Sequence, residues 1–183
     1  MKALFRMSLV LCLVLAVLLS GLPAVAGETE EKTFGLDSGS NPGSLSANVL
    51  HAMRFENTAG TGALNKLEVL FDSRPRPAGS VMMGIYDDDN GSPGRQLIDA
   101  GEINVNANGW IAIDSLELEV QEGDYYWLAF NLSASNRVPF QRNSGAHVWA
   151  SVSYSSGLPA DFPTPAGSDS NQYVMRAWVN YYE

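Results

Sequence analysis

Beyond residue 31 the chain alternates apolar and polar residues in short runs, and Gly, Asn, Asp, Ser and Pro separate the runs. In "YVMRAWVNYY" (173–182), Tyr173, Met175, Ala177, Val179 and Tyr181 alternate with Arg176, Trp178, Asn180 and Tyr182. A β-strand turns successive side chains to opposite faces, so this period marks strands with one apolar face. It predicts strands over 32–36, 49–56, 63–72, 80–87, 95–101, 110–114, 116–120, 124–132, 137–142, 147–154 and 173–182. No helical period of useful length competes with it. Many short strands at this spacing argue for one all-β domain over 32–183, an antiparallel β-sandwich of jelly-roll-like form.

The connections agree with hairpins. Asn-Gly occurs at 90–91 and 108–109, and "EGD" (122–124) leads into the most aromatic strand. Each places Gly where a turn needs positive φ. The segment "SSGLPADFPTPAGSDSN" (155–171) is long, polar and rich in Pro and Gly, which suggests a functional or mobile loop.

The first residues follow another rule. Lys2 and Arg6 precede the apolar run "MSLVLCLVLAVLL" (7–19), and "AVA" (24–26) is a small-x-small cleavage site. Residues 1–26 therefore read as a secretory signal peptide, followed by a flexible segment over 27–31. The expected mature chain is exported, and it is not inserted in a membrane once the signal is removed. The only cysteine, Cys12, lies in the signal, so the domain carries neither a disulfide nor a thiol-based site.

Composition narrows the function. The formal net charge of −9 opposes a nucleic-acid partner, because a phosphate backbone demands a basic face. With two histidines and none of the motifs of metalloproteases, serine hydrolases, P-loops or Rossmann folds, the sequence reads as non-catalytic.

Aromatic residues carry the remaining signal. In "DYYWLAFNL" (124–132), alternation sets Tyr126, Leu128, Phe130 and Leu132 on a core face, and Tyr125, Trp127, Ala129 and Asn131 opposite. In "HVWASVSY" (147–154), Val148, Ala150, Val152 and Tyr154 form the apolar set, with His147 and Trp149 opposite. Trp127, Trp149 and Trp178 thus fall on polar faces, with Arg176 and Asn180 beside the last. Aromatic rings beside amides and a guanidinium suit a sugar, whose apolar face stacks while its hydroxyls form hydrogen bonds. The same tryptophans could equally form a second packing layer under a long loop.

"GIYDDDNGSPGRQLI" (84–98) offers the one metal candidate. Asp87, Asp89 and Gly91 echo the start of a calcium loop, but the fifth position and the closing Glu are missing. The alternative is a turn between strands with its aspartates in water. Calcium at Asp87 and Asp89 is the only cofactor the residues suggest.

The order "ANVLHAMRF", "LNKLEVLF", "GIYDDDNGSPGRQLI", "GW", "GDYYWLAF" and "MRAWVNY" resembles an extracellular β-sandwich module of prokaryotic exported and surface proteins. That module is itself similar to jelly-roll carbohydrate-binding modules. This sequence departs from the pattern at "RQLI", where the module has small residues and Leu-Leu. The resemblance implies a secreted or cell-surface location and no catalytic residues. Two functions follow as expectations. One is a non-catalytic module for extracellular glycans, using Trp127, Trp149, Trp178, Arg176 and Asn180. The other is a structural or adhesive surface protein that self-associates or binds another surface protein, for example through strand addition.

Overall fold

The computed structural model describes residues 30–74 and 76–182 of the 183-residue chain. The signal peptide expected over 1–26 lies outside the described residues, as does most of the segment expected to be flexible, although Glu31 already pairs with Asn180.

In chain order the strands are β1 (Glu31–Gly35), β2 (Asn41–Leu45), β3 (Val49–Glu56), β4 (Gly62–Phe71), β5 (Ser80–Asp89), β6 (Ser92–Asn104) and β7 (Gly109–Val120). They continue with β8 (Tyr125–Leu132), β9 (Asn136–Gln141), β10 (His147–Ser151), β11 (Gly167–Asp169), β12 (Gln172–Tyr173) and β13 (Met175–Tyr181). A single 3-10 turn at Tyr154–Ser156 is the one helical element among the described residues.

These strands form a four-stranded sheet (β1-β13-β4-β7), a six-stranded sheet (β11-β10-β3-β8-β5-β6) and a small sheet (β12-β9-β2), and every named pair is antiparallel. The chain passes repeatedly between the two larger sheets, as in a jelly roll: β3, β5, β6 and β8 lie in one, and β4 and β7 in the other. The expected all-β antiparallel sandwich is the fold.

The core between the sheets forms as the alternation requires. Met53, Phe55, Leu128, Phe130 and Leu132 from the six-stranded sheet meet Leu64, Leu67, Val69, Met175, Ala177 and Val179 from the four-stranded sheet. Burying each large apolar side chain contributes roughly 1.5–3 kcal/mol, enough in sum to hold the fold without a disulfide.

Three local features differ from the expected pattern. The predicted strands over 110–114 and 116–120 are one strand, β7, with a bulge where Ser115 takes φ 62° and the register against β4 slips. The strand β2 was missed, because "NPGSL" lacks apolar alternation and is held by pairing with β9. The predicted functional or mobile loop after β10 is packed down: Gln96 and Ala160, Phe162 and Gly94, and Ala166 and Trp149 are joined by backbone hydrogen bonds.

That packed segment, 152–166, covers the outer face of the six-stranded sheet. Leu158 sits against Leu50, Ala52, Tyr86, Trp127 and Ala129 in a second apolar cluster, with Val148, Val152 and Phe162 at its border. The Tyr86 hydroxyl donates to the Pro159 carbonyl at 2.9 Å, and its ring meets Phe162 edge-on. Gly84 is required here, since a Cβ at that position would collide with Leu158 and the Ile98 carbonyl. The six-stranded sheet is therefore buried on both faces along β8, where every residue from Tyr126 to Leu132 is inside.

Candidate functional site

The three tryptophans expected to share a sugar-binding face lie in three different places. Trp127 is on the outer face of β8 but only 1% exposed, beneath segment 152–166. Of the two readings of this residue, the second packing layer under a long loop is the one observed, because alternation locates a face without revealing what covers it. The indole Nε1 donates to Asp88 at 2.8 Å, and Arg54 binds the same carboxylate from Nε (2.6 Å) and a terminal nitrogen (2.9 Å). The hydrogen bonds from Arg54 first, then those from Trp127 and Gly91, hold the Asp88 carboxyl below the usual range against the upward pull of burial.

Trp178 does face outward, with Arg176 and Asn180, on the four-stranded sheet; Met175, Ala177 and Val179 fill the core behind them. These polar groups are bonded to one another. Trp178 Nε1 and Arg176 Nε donate to one oxygen of Glu68 at 2.6 and 2.7 Å, and Asn65 donates to Asn180 at 3.1 Å. Lys66 lies 4.0 Å over the Trp178 ring, while Arg176 sits 4.0 Å over Trp110. Cations thus already occupy ring faces that a sugar would need. Trp110 belongs to this cluster, although the sequence marked it only as the start of a strand over 110–114 and as part of the "GW" piece of the resemblance.

Asp87 and Asp89 sit in the β5–β6 hairpin, turned by Asn90 (φ 53°) and Gly91 (φ 87°). Asp87 accepts from the Arg95 backbone N–H, and Asp89 accepts from the Asn90 amide at 2.8 Å. Among the described residues no group of three or more His, Cys, Asp or Glu is placed to hold a metal ion. The aspartate of structural weight is the middle one, Asp88.

Trp149 corrects the sequence reading in the opposite sense. Its strand β10 is reversed relative to expectation: Val148 and Ala150 lie toward the covered outer side, pairing with Ala52 and Leu50, while His147 and Trp149 share the face of Met53 and His51. Both sides of β10 are covered, so apolarity alone could not choose between them. Here the six-stranded sheet extends past the main core and faces the small sheet across a cleft of about 280 Å³. Ser44, Ser46, His51, Trp149, Asp169 and Tyr173 are among its walls.

A hydrogen-bonded chain crosses that cleft wall. Asp169 meets His147 Nδ1 at 3.0 Å, and His147 Nε2 meets His51 Nδ1 at 3.0 Å. The two imidazole rings lie within 19° of parallel, and Tyr173 packs edge-on against both. Trp149 leans on His147, and Gly167 backs its ring so closely that a Cβ there would collide with the indole. His51 is 6% exposed, and its Nε2 has no hydrogen-bond partner among the described residues. A buried polar atom left in that state costs about 1–3 kcal/mol.

Electrostatics fix the state of the chain. Burial, with His147 beside it, pushes His51 down to about 3. Burial also lowers His147, although Asp169 pulls the other way. Burial raises the Asp169 carboxyl, but hydrogen bonds from Asn171 and His147 outweigh it and keep the group below the usual range. At neutral pH the cleft holds one carboxylate and two neutral imidazoles. Sequence reading missed His51, His147 and Asp169 because they are far apart in the chain; the one available signal was that the chain contains only two histidines.

Fold and cleft together define an antiparallel β-sandwich with a small aromatic-polar cleft at one sheet edge. No family model matches the chain, and no curated protein does so either. Among solved structures it is similar to the cysteine protease and lectin-like domains of Cwp84, a surface layer associated protein of Clostridium difficile. The TM-score is 0.56 at 12% identity, over 85% of this chain and 37% of that one. A clostridial Cwp84 cysteine protease after propeptide cleavage matches with TM-score 0.57 at 13% identity, over 85% of this chain and 41% of that one. The chain thus spans about two fifths of the length of those structures, and at such identity the likeness shows the fold.

Proposed function

We propose that the chain is a non-catalytic binding module of the extracellular surface, and that it holds a glycan in the cleft at Trp149. The observation that carries this reading is the cleft itself, where Trp149 and Tyr173 supply rings and Ser44, Ser46 and Asp169 supply hydrogen-bonding groups. Rings for stacking beside a few fixed polar groups are what a sugar site requires. A volume of about 280 Å³ falls just below the roughly 300–1,000 Å³ of drug-sized sites, so it suits one sugar unit or a chain end. The lectin-like domain of the first of the similar structures and the secretory pattern of residues 1–26 support the same reading. The alternative structural role would use strand addition at the N-terminal segment. Its residues Glu31–Gly35 pair with β13 on one side and form an edge of the four-stranded sheet, so an added strand would join at that edge.

Glycan-array binding of the secreted chain tests the proposal. Binding is expected in the unaltered protein and in Trp178→Ala, and its loss in Trp149→Ala. Absence of binding to every glycan, with the protein folded by circular dichroism, would overturn it.

A further inference from the structure

We infer that copies of the chain bind one another head to tail: Arg74 and Arg76, exposed on the β4–β5 connection, enter an acidic groove at the opposite end of a second copy. That contact shares no residue with the Trp149 cleft.

The groove lies where the two large sheets part, between the end of β7, the β7–β8 turn and the β5–β6 hairpin, and holds about 510 Å³. Its surface is apolar in an unusual degree. Among the described residues three large hydrophobic side chains are exposed: Leu97, Tyr125 and Tyr182. Leu97 and Tyr125 line the groove, and the Tyr182 hydroxyl donates to its Glu119 at 2.7 Å. Exposed apolar residues scattered singly mean little, whereas their gathering at one place marks a contact surface. Asp87, Glu119 and Asp124 add carboxylates, and neither Lys nor Arg lines the groove. Asp88 lines it too, but Arg54 offsets that charge. An apolar groove with uncompensated carboxylates fits arginine, whose stem packs while its planar fork binds a carboxylate.

The chain carries the complement at its other end. The Arg74 side chain is 78% exposed and lies 3.8 Å from Asp72. A surface pair of that kind is worth about 0–1 kcal/mol, so it does not hold Arg74 back. Arg76 is exposed as well. Each arginine precedes a proline, which favours extended backbone and lowers the entropy lost on docking. β5 separates the two surfaces: Ser80 adjoins the loop and Asp87 the groove, roughly 23 Å apart at the rise of a strand. The loop therefore meets the groove of another copy, not its own. At physiological ionic strength the Debye length is about 8 Å, so each end acts by its own charge despite the net charge of −9. A contact between two different surfaces leaves one loop and one groove free on every pair, and further copies add to a ring or an open filament.

Sedimentation velocity of the secreted chain from about 10 μM to 1 mM, the range of weak specific contacts, tests this. The average mass is expected to rise with concentration past that of two copies. Arg74→Glu with Arg76→Glu spoils the loop, and Glu119→Gln with Asp124→Asn spoils the groove; all four positions are exposed. Each variant alone should associate about tenfold or more weakly. Mixed, they should form a pair that stops at two copies, because one intact groove and one intact loop remain. Trp149→Ala should assemble like the unaltered chain. A chain that stays monomeric throughout overturns the inference, as do variants that assemble unchanged or a mixture that forms no pair. A monomeric chain whose groove binds tetra-arginine would give the groove to another basic partner, and that too overturns self-association.

Discussion

The indole nitrogen of Trp127 donates to Asp88 at 2.8 Å, tying the buried centre of β8 to the rim of the β5–β6 hairpin. Arg54 from β3 holds the same carboxylate, so three strands meet at one side chain. Asp88 thus couples the strands at the end of the sheet where the aspartate run lies.

Trp127→Phe keeps most of the ring packing and removes only the donor. It is expected to cost about 1–3 kcal/mol, and Asp88→Ala about as much or more, because Arg54 also loses its partner. The two changes should couple by roughly 0.5–3 kcal/mol in a double-mutant cycle read by urea denaturation. Additive effects would show that the bond contributes nothing to the fold.

Asp88 also sets an acid limb. Its folded carboxyl sits below the unfolded value of about 3.9, so the folded state binds fewer protons in that range. The stabilisation is complete above the unfolded value and is lost as pH falls through the folded one. Asp88→Asn should flatten the stability profile below about pH 4.

His51 acts higher on the pH scale. Its folded value of about 3 lies below the ordinary 6.5, so the unfolded state takes up a proton first as acid is added. Stability is then full above about pH 6.5 and falls at about 1.4 kcal/mol per pH unit toward the folded value. Burial of His147 adds a decline of the same sign. Urea midpoints measured between pH 4 and 8, on the order of one unit apart, should fall on acidification in the unaltered chain and less steeply in His51→Phe.

Gly167 tests the cleft by shape. A Cβ there would meet the Trp149 ring, so Gly167→Val must displace the indole or break the β10–β11 pairing. Stability is expected to drop by about 1–3 kcal/mol, the usual cost of overpacking. Ligand binding should fall with it, whereas a like change at exposed Gly91 would leave binding intact.

Calcium provides the last test. Asp87 and Asp89 already accept hydrogen bonds from Arg95 and Asn90 in a closed hairpin turn. Millimolar calcium is expected to leave the melting temperature unchanged. A rise that disappears in Asp87→Asn would assign the hairpin a metal-binding role.

The alternation of side chains alone located most of the longer strands, though not β2 or β11, because a two-residue period with Gly and Asn at the turns is a local property of the chain. β3 appears over 49–56, as the alternation requires, and the inward set of β13 is the apolar set of its sequence. What covers each face was decided only by tertiary structure. Segment 152–166 folds back over Trp127 and reverses the sense of Trp149, since a strand buried on both sides carries no polarity signal to orient it. The pairing of His51 with His147 likewise depends on β3 and β10 lying side by side, 96 residues apart along the chain. An isolated histidine in a sequence has no direction for its proton. The carboxylate of Asp169, brought in by β11, supplies that direction and makes the cleft a candidate site.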